Sequence, residues 1–467
     1  MQSSGSSNSP AASAEHRRTQ NHTAAAVWFL RIVTGAVFVF SGFVKAVDPW
    51  GTVFKLDDYF TAWHVTISNE LTLILGCALA AFEFTVGVLI AVGAFRRTAP
   101  SLALAMMAVM LPLTAWIWAT DPVSDCGCFG DALVLSNGAT FAKNIVLTGL
   151  LVWLAIVDRR TPGIVSPRLQ WMAVALSVVY CAVLCVYGYL VQPWIDFRPY
   201  AVGQPLVADS ELADMDADTD TAGGGDYPQV MLIYSRGGVE KAFTADSLPG
   251  DDWQFVRRQE PAQSHSAHSA HAGAQLSVLD DYGDDVTAEL AQESTLPGGL
   301  LLLTVSNPRA HGISRARMAS HLGATMDNRA GAFAAIVATD DAQAWADRVG
   351  ARYPVYTADD TDLKTLARGN AALVYVKDNR VRWKRALYSL PPDLGTESAP
   401  FDPERVTAPE RSHAMRFATA LYLVLMGILV LLTILHLHHT TKIRNFANRK
   451  QTDKSAPTDN PNINNQP

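Results

Sequence analysis

Two cysteines one residue apart, Cys126 and Cys128, are the residues of this chain best suited to chemistry, because a neighbouring thiol pair can exchange two electrons by closing and opening a disulfide. They stand in Asp125-Cys126-Gly127-Cys128-Phe129-Gly130-Asp131, and the 467-residue sequence holds five cysteines in all. A disulfide wants its Cα atoms about 4.4–6.8 Å apart, and an extended i, i+2 pair lies near or beyond that limit. Gly127 permits the backbone angles that would shorten the span. A bridge closed in this way would be strained and therefore oxidising and labile. The flanking Asp125 and Asp131 work against a thiolate, since reactive cysteines prefer electropositive surroundings, and Lys143 is the nearby compensation. The same residues also fit a permanent disulfide tying the loop, or two reduced thiols packed at an interface.

Membrane segments must position this loop. Nearly half the residues are hydrophobic (49%) and 17% are charged, against about 25% charged in soluble proteins. Apolar runs predict six spans, at 24–44, 71–95, 102–119, 141–157, 171–191 and 415–437, since about 20 residues cross a bilayer. Pro112 predicts a kink in the third. The first run is long enough to span and reads as a membrane helix, not a cleaved signal. The polar stretches 1–23 and 438–467 read as disordered tails. A net charge of -7 argues against a nucleic-acid partner.

Sidedness follows from the Lys/Arg bias of short loops. Arg17, Arg18, Arg96, Arg97, Arg159, Arg160, Arg168 and the cluster from Lys442 to Lys454 mark one side. Asp48, Asp57, Asp58, Asp121, Asp125 and Asp131 mark the other. This pattern puts both termini in the cytoplasm, with the cysteine loop and residues 192–412 outside the inner membrane. Cys77, Cys181 and Cys185 then fall in the outer halves of their spans, and Cys181 and Cys185 share a helix face. Cys181 and Cys185 are candidate internal partners of the loop pair, and all three also fit small apolar filler.

Arg31 and Glu83 are charges inside spans, hence functional candidates. Arg31 lies near an end, where it can snorkel, whereas Glu83 lies near mid-membrane and needs a donor or a proton. Lys45 and Asp48 crowd the outer mouth of the bundle and are further candidates.

Beyond the fifth span the pattern becomes polar, with short apolar runs. Residues 230–235 and 240–243 around Arg236-Gly237-Gly238 predict a hairpin. Residues 264–274 carry His265, His268 and His271 in a Ser/Ala-rich setting; the spacing suits zinc or copper, but the composition reads as a solvated linker, so no metal site is assigned. Strands at 300–305, 332–338, 353–356, 372–376 and 381–385 alternate with helices near 313–322, 342–349 and 361–368. Strand–helix–strand units ending in a hairpin suggest a thioredoxin-like α/β domain. With no cysteine after Cys185, that domain cannot exchange dithiols itself and reads as a docking surface.

Three stretches resemble the DoxX/MauE-like bacterial membrane proteins: Ser41-Gly42-Phe43-Val44-Lys45-Ala46-Val47-Asp48-Pro49, Phe54-Lys55-Leu56-Asp57-Asp58-Tyr59-Phe60, and the Asp125–Asp131 loop. The likeness covers 27–157 and implies a four-helix unit. The runs Pro193-Trp194-Ile195-Asp196-Phe197-Arg198-Pro199-Tyr200 and Asp362-Leu363-Lys364-Thr365 look like a subgroup with an appended thioredoxin-like domain. This chain departs from that subgroup in carrying Asn370-Ala371-Ala372 where a proline is usual.

MauE-like members are associated with maturation of, or disulfide supply to, periplasmic methylamine dehydrogenase, and DoxX-like members with a thiosulfate:quinone oxidoreductase. The expected architecture is therefore a membrane unit at 24–160, a fifth helix at 169–191, a linker and hairpin region at 192–298, a thioredoxin-like domain at 299–392 and a sixth helix at 413–437. The expected role is support of thiol redox or maturation of extracytoplasmic proteins, with a quinone or an extracytoplasmic protein as redox partner. The rival is a non-enzymatic scaffold whose outer domain binds a partner. A solute transporter fits less well, because few paired charges line the spans.

Overall fold

The computed structural model describes residues 10–123, 125–157, 161, 163–210, 212, 231–236, 239–244, 254–259, 276–308, 319–339, 341–390, 394, 401–405 and 409–454. The His-rich insert and the predicted helix start near 313 lie outside them.

Six helices are long and apolar enough to cross a membrane: Ala24–Val47, Asn69–Ala91, Thr98–Thr120, Asn137–Val157, Gln170–Leu190 and His413–His436. They lie in α1 (Pro10–Val47), α3 (Asn69–Ala91), α4 (Thr98–Thr120), α5 (Asn137–Val157), α6 (Gln170–Leu190) and α11 (Pro409–Lys454). A further helix, α2 (Pro49–Ala62), follows α1 directly. Both polar stretches expected to be disordered are helical in part, from Pro10 and as far as Lys454. The first has no proline or glycine after Pro10 and runs on into the apolar helix, and the second meets no proline before Pro457.

The α1–α3 contact decides where the membrane charges fall. A Cβ added at Gly42 would lie 2.4 Å from the Phe84 nitrogen, and one at Gly87 would lie 2.6 Å from the Val39 nitrogen. Small residues thus bring two backbones into contact, the packing that membrane helices use where apolar burial gives no drive. The face of α1 bearing Ser41 and Lys45 is thereby set against Glu83 of α3.

The remaining elements form two sheets. β1 (Met231–Arg236), β2 (Val239–Thr244) and β3 (Gln254–Gln259) make an antiparallel sheet in the order β2-β1-β3. The six-stranded sheet is mixed. It contains β4 (Val278–Leu279), β5 (Leu300–Val305), β6 (Ala332–Val337), β7 (Val355–Ala358), β8 (Ala371–Lys377) and β9 (Arg380–Ala386), in the order β4-β7-β6-β5-β8-β9. β5, β6 and β7 run parallel, and the other pairings are antiparallel. Helices α7 (Thr287–Glu293), α8 (Ala319–Asp327), α9 (Ala342–Val349) and α10 (Asp360–Leu366) cover it.

Both faces of β5 are buried, Leu301 and Leu303 against Trp345 and Leu322, Leu300 and Leu302 against Leu290 and Leu363. A strand covered on two faces reads as a near-continuous apolar run, which Leu300–Val305 is, with Thr304 its one polar residue. The sheet domain also reaches further back than 299. β4 pairs with β7, and Tyr200, Leu206, Val207 and Leu276 enter its core, so much of the segment expected as linker is structural. The side chain of Asn379, in the β8–β9 turn, holds Val207 by two hydrogen bonds, of 3.1 and 2.8 Å.

Candidate functional site

The cysteine loop connects α4 to α5 and is held by its backbone. The Tyr59 hydroxyl, from α2, donates to the Cys126 carbonyl at 2.6 Å. From α1, the Lys45 ammonium donates to the Cys128 carbonyl at 2.7 Å. The Ser41 hydroxyl lies 2.7 Å from that carbonyl and 2.7 Å from Glu83 Oε2, and its single proton can serve one at a time. Within the loop the Gly127 amide donates to Asp125 Oδ1 at 2.7 Å, with Gly127 at φ +64°. A side chain at 127 would meet that left-handed backbone and the Lys55 stem, 2.9 Å from its Cβ.

This geometry brings the two sulfurs to 3.0 Å as free thiols. A disulfide bond is about 2.05 Å long, so closure needs a shift of about an ångström. The two thiols are inequivalent. The Cys126 hydrogen bond pulls the Cys128 thiol down to about 6; burial and Glu83 oppose this, while Lys143 and Lys45 assist it. Cys126 is pushed well above the usual range, first by its bond to Cys128 and then by burial. Burial, reinforced by the neighbouring thiols, likewise drives the Tyr59 phenol far up, so it stays a donor.

The acidic flanks do not oppose the thiolate as the sequence suggested, because each is paired with a cation. Asp125 pairs with Lys55 at 2.7 Å. Asp131 pairs with Arg368, which leads out of α10 in the sheet domain and also holds Asp48 at 2.7 Å. Burial works against charge on Arg368, but Asp48 and Asp131 outweigh it and raise its proton affinity. Asp48 also caps α2, accepting from the Gly51 amide at 3.0 Å.

Lys45 and Glu83, expected apart, form one buried ion pair at 2.8 Å with 7% and 2% of their side chains exposed. Lys45 therefore lies within the bundle and not at its mouth. Arg31 does not snorkel. It is wholly buried and donates to the Thr161 carbonyl at 3.0 Å, with its guanidinium 4.5 Å from the Trp28 ring centre.

Cys181 and Cys185 are not brought to the loop pair. They pack among Ala46, Val47 and Phe84, and Cys185 is hydrogen-bonded to Cys77 of α3. Among the described residues no His/Cys/Asp/Glu cluster of metal-binding size occurs.

The loop thiols line a partly open cavity of about 150 Å³ to which α1 to α5 also contribute. Met106, Met107 and Met110 of α4, Phe38 of α1 and Leu147 of α5 form its apolar walls. Lys45, Glu83, Lys143 and Asn144 make its polar part. Lys143 lies with its ammonium 4.2 Å from the Phe129 ring centre and has no ion pair among the described residues. Tyr59, Ser41, Lys55 and Arg368 were not singled out from sequence; Ser41, Tyr59 and Lys55 lie in the stretches Ser41–Pro49 and Phe54–Phe60 that carry the family resemblance, but nothing local marks Arg368.

Residues 23–157 match the family model described as methylamine utilisation protein MauE. A second model, described as a domain of unknown function, matches residues 229–262, which span the three-stranded sheet. No curated protein and no solved structure matches the chain.

Proposed function

We propose that this multi-pass membrane chain, whose residues 23–157 belong to the MauE/DoxX-like membrane family, is a thiol–disulfide exchange component that supports oxidation or maturation of extracytoplasmic proteins. The observation that carries the reading is the pair of inequivalent thiols 3.0 Å apart, with the Cys128 side held beside two lysines. In its oxidised form the pair would be attacked by a substrate thiolate. One S–S bond breaks, a mixed disulfide forms, and a second substrate thiol releases it. The substrate loses two electrons and two protons, and Cys126 and Cys128 gain them. Cys128, with the more stable thiolate, is the better leaving group.

In this reading the loop and the sheet domain face the extracytoplasmic side of the inner membrane, as the Lys/Arg bias suggests. The sheet domain is a thioredoxin-like module without a dithiol, serving to dock a protein partner. Its tie to the loop through Arg368 supports the rival scaffold role equally well, so thiol chemistry must decide. Thiol mass-tagging in intact membranes should show Cys126 and Cys128 cycling between tagged and protected forms with reductant and oxidant. A pair inert to both, with Cys126→Ser leaving partner maturation intact, would leave the scaffold reading standing.

A further inference from the structure

We infer that the reduced cysteine pair and the methionine wall of its cavity form a site for a single Cu(I) ion. The site belongs to the dithiol form and stands whether or not the pair also exchanges disulfides. The donor set points to the ion. Cys126 and Cys128 bring two sulfurs to 3.0 Å, and Met106, Met107 and Met110 line the same cavity. Met106 and Met110 are four residues apart on α4 and so share a helix face, and Met107 is buried next to them. Thiolates and thioethers are soft ligands, and among first-row ions they select Cu(I). Zinc prefers four ligands from cysteine, histidine and carboxylate side chains, and no group of three or more such residues of metal-binding size occurs among the described residues. The carboxylate in the cavity, Glu83, is already paired with Lys45.

Geometry calls for a third sulfur. With the ~2.3 Å of zinc–thiolate bonds as a guide, a linear two-sulfur site sets its sulfurs about 4.6 Å apart and a trigonal one about 4.0 Å apart. Starting from 3.0 Å, the linear site needs a spread of about 1.6 Å and the trigonal one about 1.0 Å. The loop is held at both cysteine carbonyls, by Tyr59 and Lys45, so the thiols part by side-chain rotation and the smaller spread is the easier. A thioether of α4 is the third donor. Binding balances without electron transfer: two S–H bonds break, two Cu–S bonds form, and two protons leave. The resulting bis-thiolate complex carries one negative charge. Lys143 lines the same cavity, with its ammonium 4.2 Å from the Phe129 ring centre and no ion pair among the described residues, and its charge offsets that of the complex. While the ion is held, the two sulfurs cannot join each other.

The test uses the full chain in lipid nanodiscs, reduced and kept anaerobic. It is titrated with Cu(I) buffered by the chromophoric chelator bicinchoninate. One ion withdrawn per chain is expected, with Cys126 and Cys128 protected from mass-tagging and three sulfur neighbours in the X-ray absorption fine structure. The double variant Cys126→Ser/Cys128→Ser should bind at least a hundredfold more weakly. The triple variant Met106→Leu/Met107→Leu/Met110→Leu nearly conserves apolar volume; it should bind at least tenfold more weakly and show two sulfur neighbours. Thermal unfolding checks the fold of both.

If the pair exchanges with oxidised glutathione but the reduced chain withdraws no Cu(I) from the chelator, the copper inference is overturned and the dithiol reading survives. If Cu(I) protects both thiols while the pair is inert to glutathione and to reductant, the dithiol reading falls and the copper site stands. Binding that persists in the double serine variant lies elsewhere in the chain, on other cysteines or on histidines, and overturns the site. Two sulfur neighbours in the wild type, with an affinity unmoved by the three leucines, overturn the part given to the methionine wall.

Discussion

Lys45→Met tests whether the buried ion pair holds the loop. The ammonium makes three hydrogen bonds, at 2.8 Å to Ser41, 2.8 Å to Glu83 and 2.7 Å to the Cys128 carbonyl. At an effective dielectric of 20, opposite charges 2.8 Å apart attract by about 6 kcal/mol before desolvation is counted. Desolvating both groups offsets much of that, but the variant keeps the Glu83 carboxyl buried while removing its cation. Breaking such a pair on one side costs about 3–5 kcal/mol, roughly a hundred- to several-thousandfold in the folding equilibrium.

Replacing both partners by apolar groups is far milder, so Lys45→Met/Glu83→Leu should recover most of the loss. Reversible unfolding in mixed micelles, followed by tryptophan fluorescence, measures all four corners of the cycle. If Lys45→Met costs under about 1 kcal/mol, or if the double variant loses the sum of both singles, the pair does not organise this site.

Four further outcomes follow from the geometry. Alkylation of Cys128, read by peptide mass spectrometry, should have its midpoint near pH 6, being slow below and fast above because the thiolate forms there; a midpoint above 8 would contradict first the hydrogen bond from Cys126 and then the help of the two lysines. Gly127→Ala forces a side chain into φ +64°, at a cost of about 1–2 kcal/mol, and pushes on Lys55; cycling of the pair should slow at least tenfold while the helix content seen by circular dichroism is unchanged. Arg368→Met leaves Asp48 and Asp131 without their shared cation, so amide exchange should quicken in both the loop and α10, and unchanged rates would dissociate the sheet domain from the loop. Copper-phenanthroline should cross-link Cys77 to Cys185, which are hydrogen-bonded across α3 and α6, and Cys181→Ser should not prevent it.

Hydropathy made the spans legible, because the bilayer demands long apolar helices whatever they later contact. The sheet strands were legible for a similar reason: Ala332–Val337 is a continuous apolar run and Leu300–Val305 is broken only by Thr304, both buried throughout or nearly so. The site was only half legible. Glu83 visibly needed a donor, but naming Lys45 requires the rotation and depth of α1 against α3. That register is set by close approaches at Gly42 and Gly87, and the spacing of small residues on α1 was the available clue. Cys181 and Cys185 share a helix face, yet which neighbour that face meets depends on packing alone, and it meets Cys77. Arg368 lies 237 residues from Asp131, and no local pattern announces a contact of that range.

The charges explain why an acid-flanked thiol pair can still stabilise a thiolate. Around the pair stand three carboxylates that would oppose ionisation: Asp125, Asp131 and Glu83. Each is matched, by Lys55, Arg368 and Lys45 respectively. Arg368 is shared between Asp131 and Asp48, and Lys143, which has no ion pair among the described residues, is the further cation that favours the Cys128 thiolate. The loop is held at the same time through its carbonyls, by Tyr59 at residue 126 and by Lys45 at residue 128. Its backbone is therefore fixed by groups that need not touch sulfur, and the thiols keep the freedom to open and close that two-electron exchange requires.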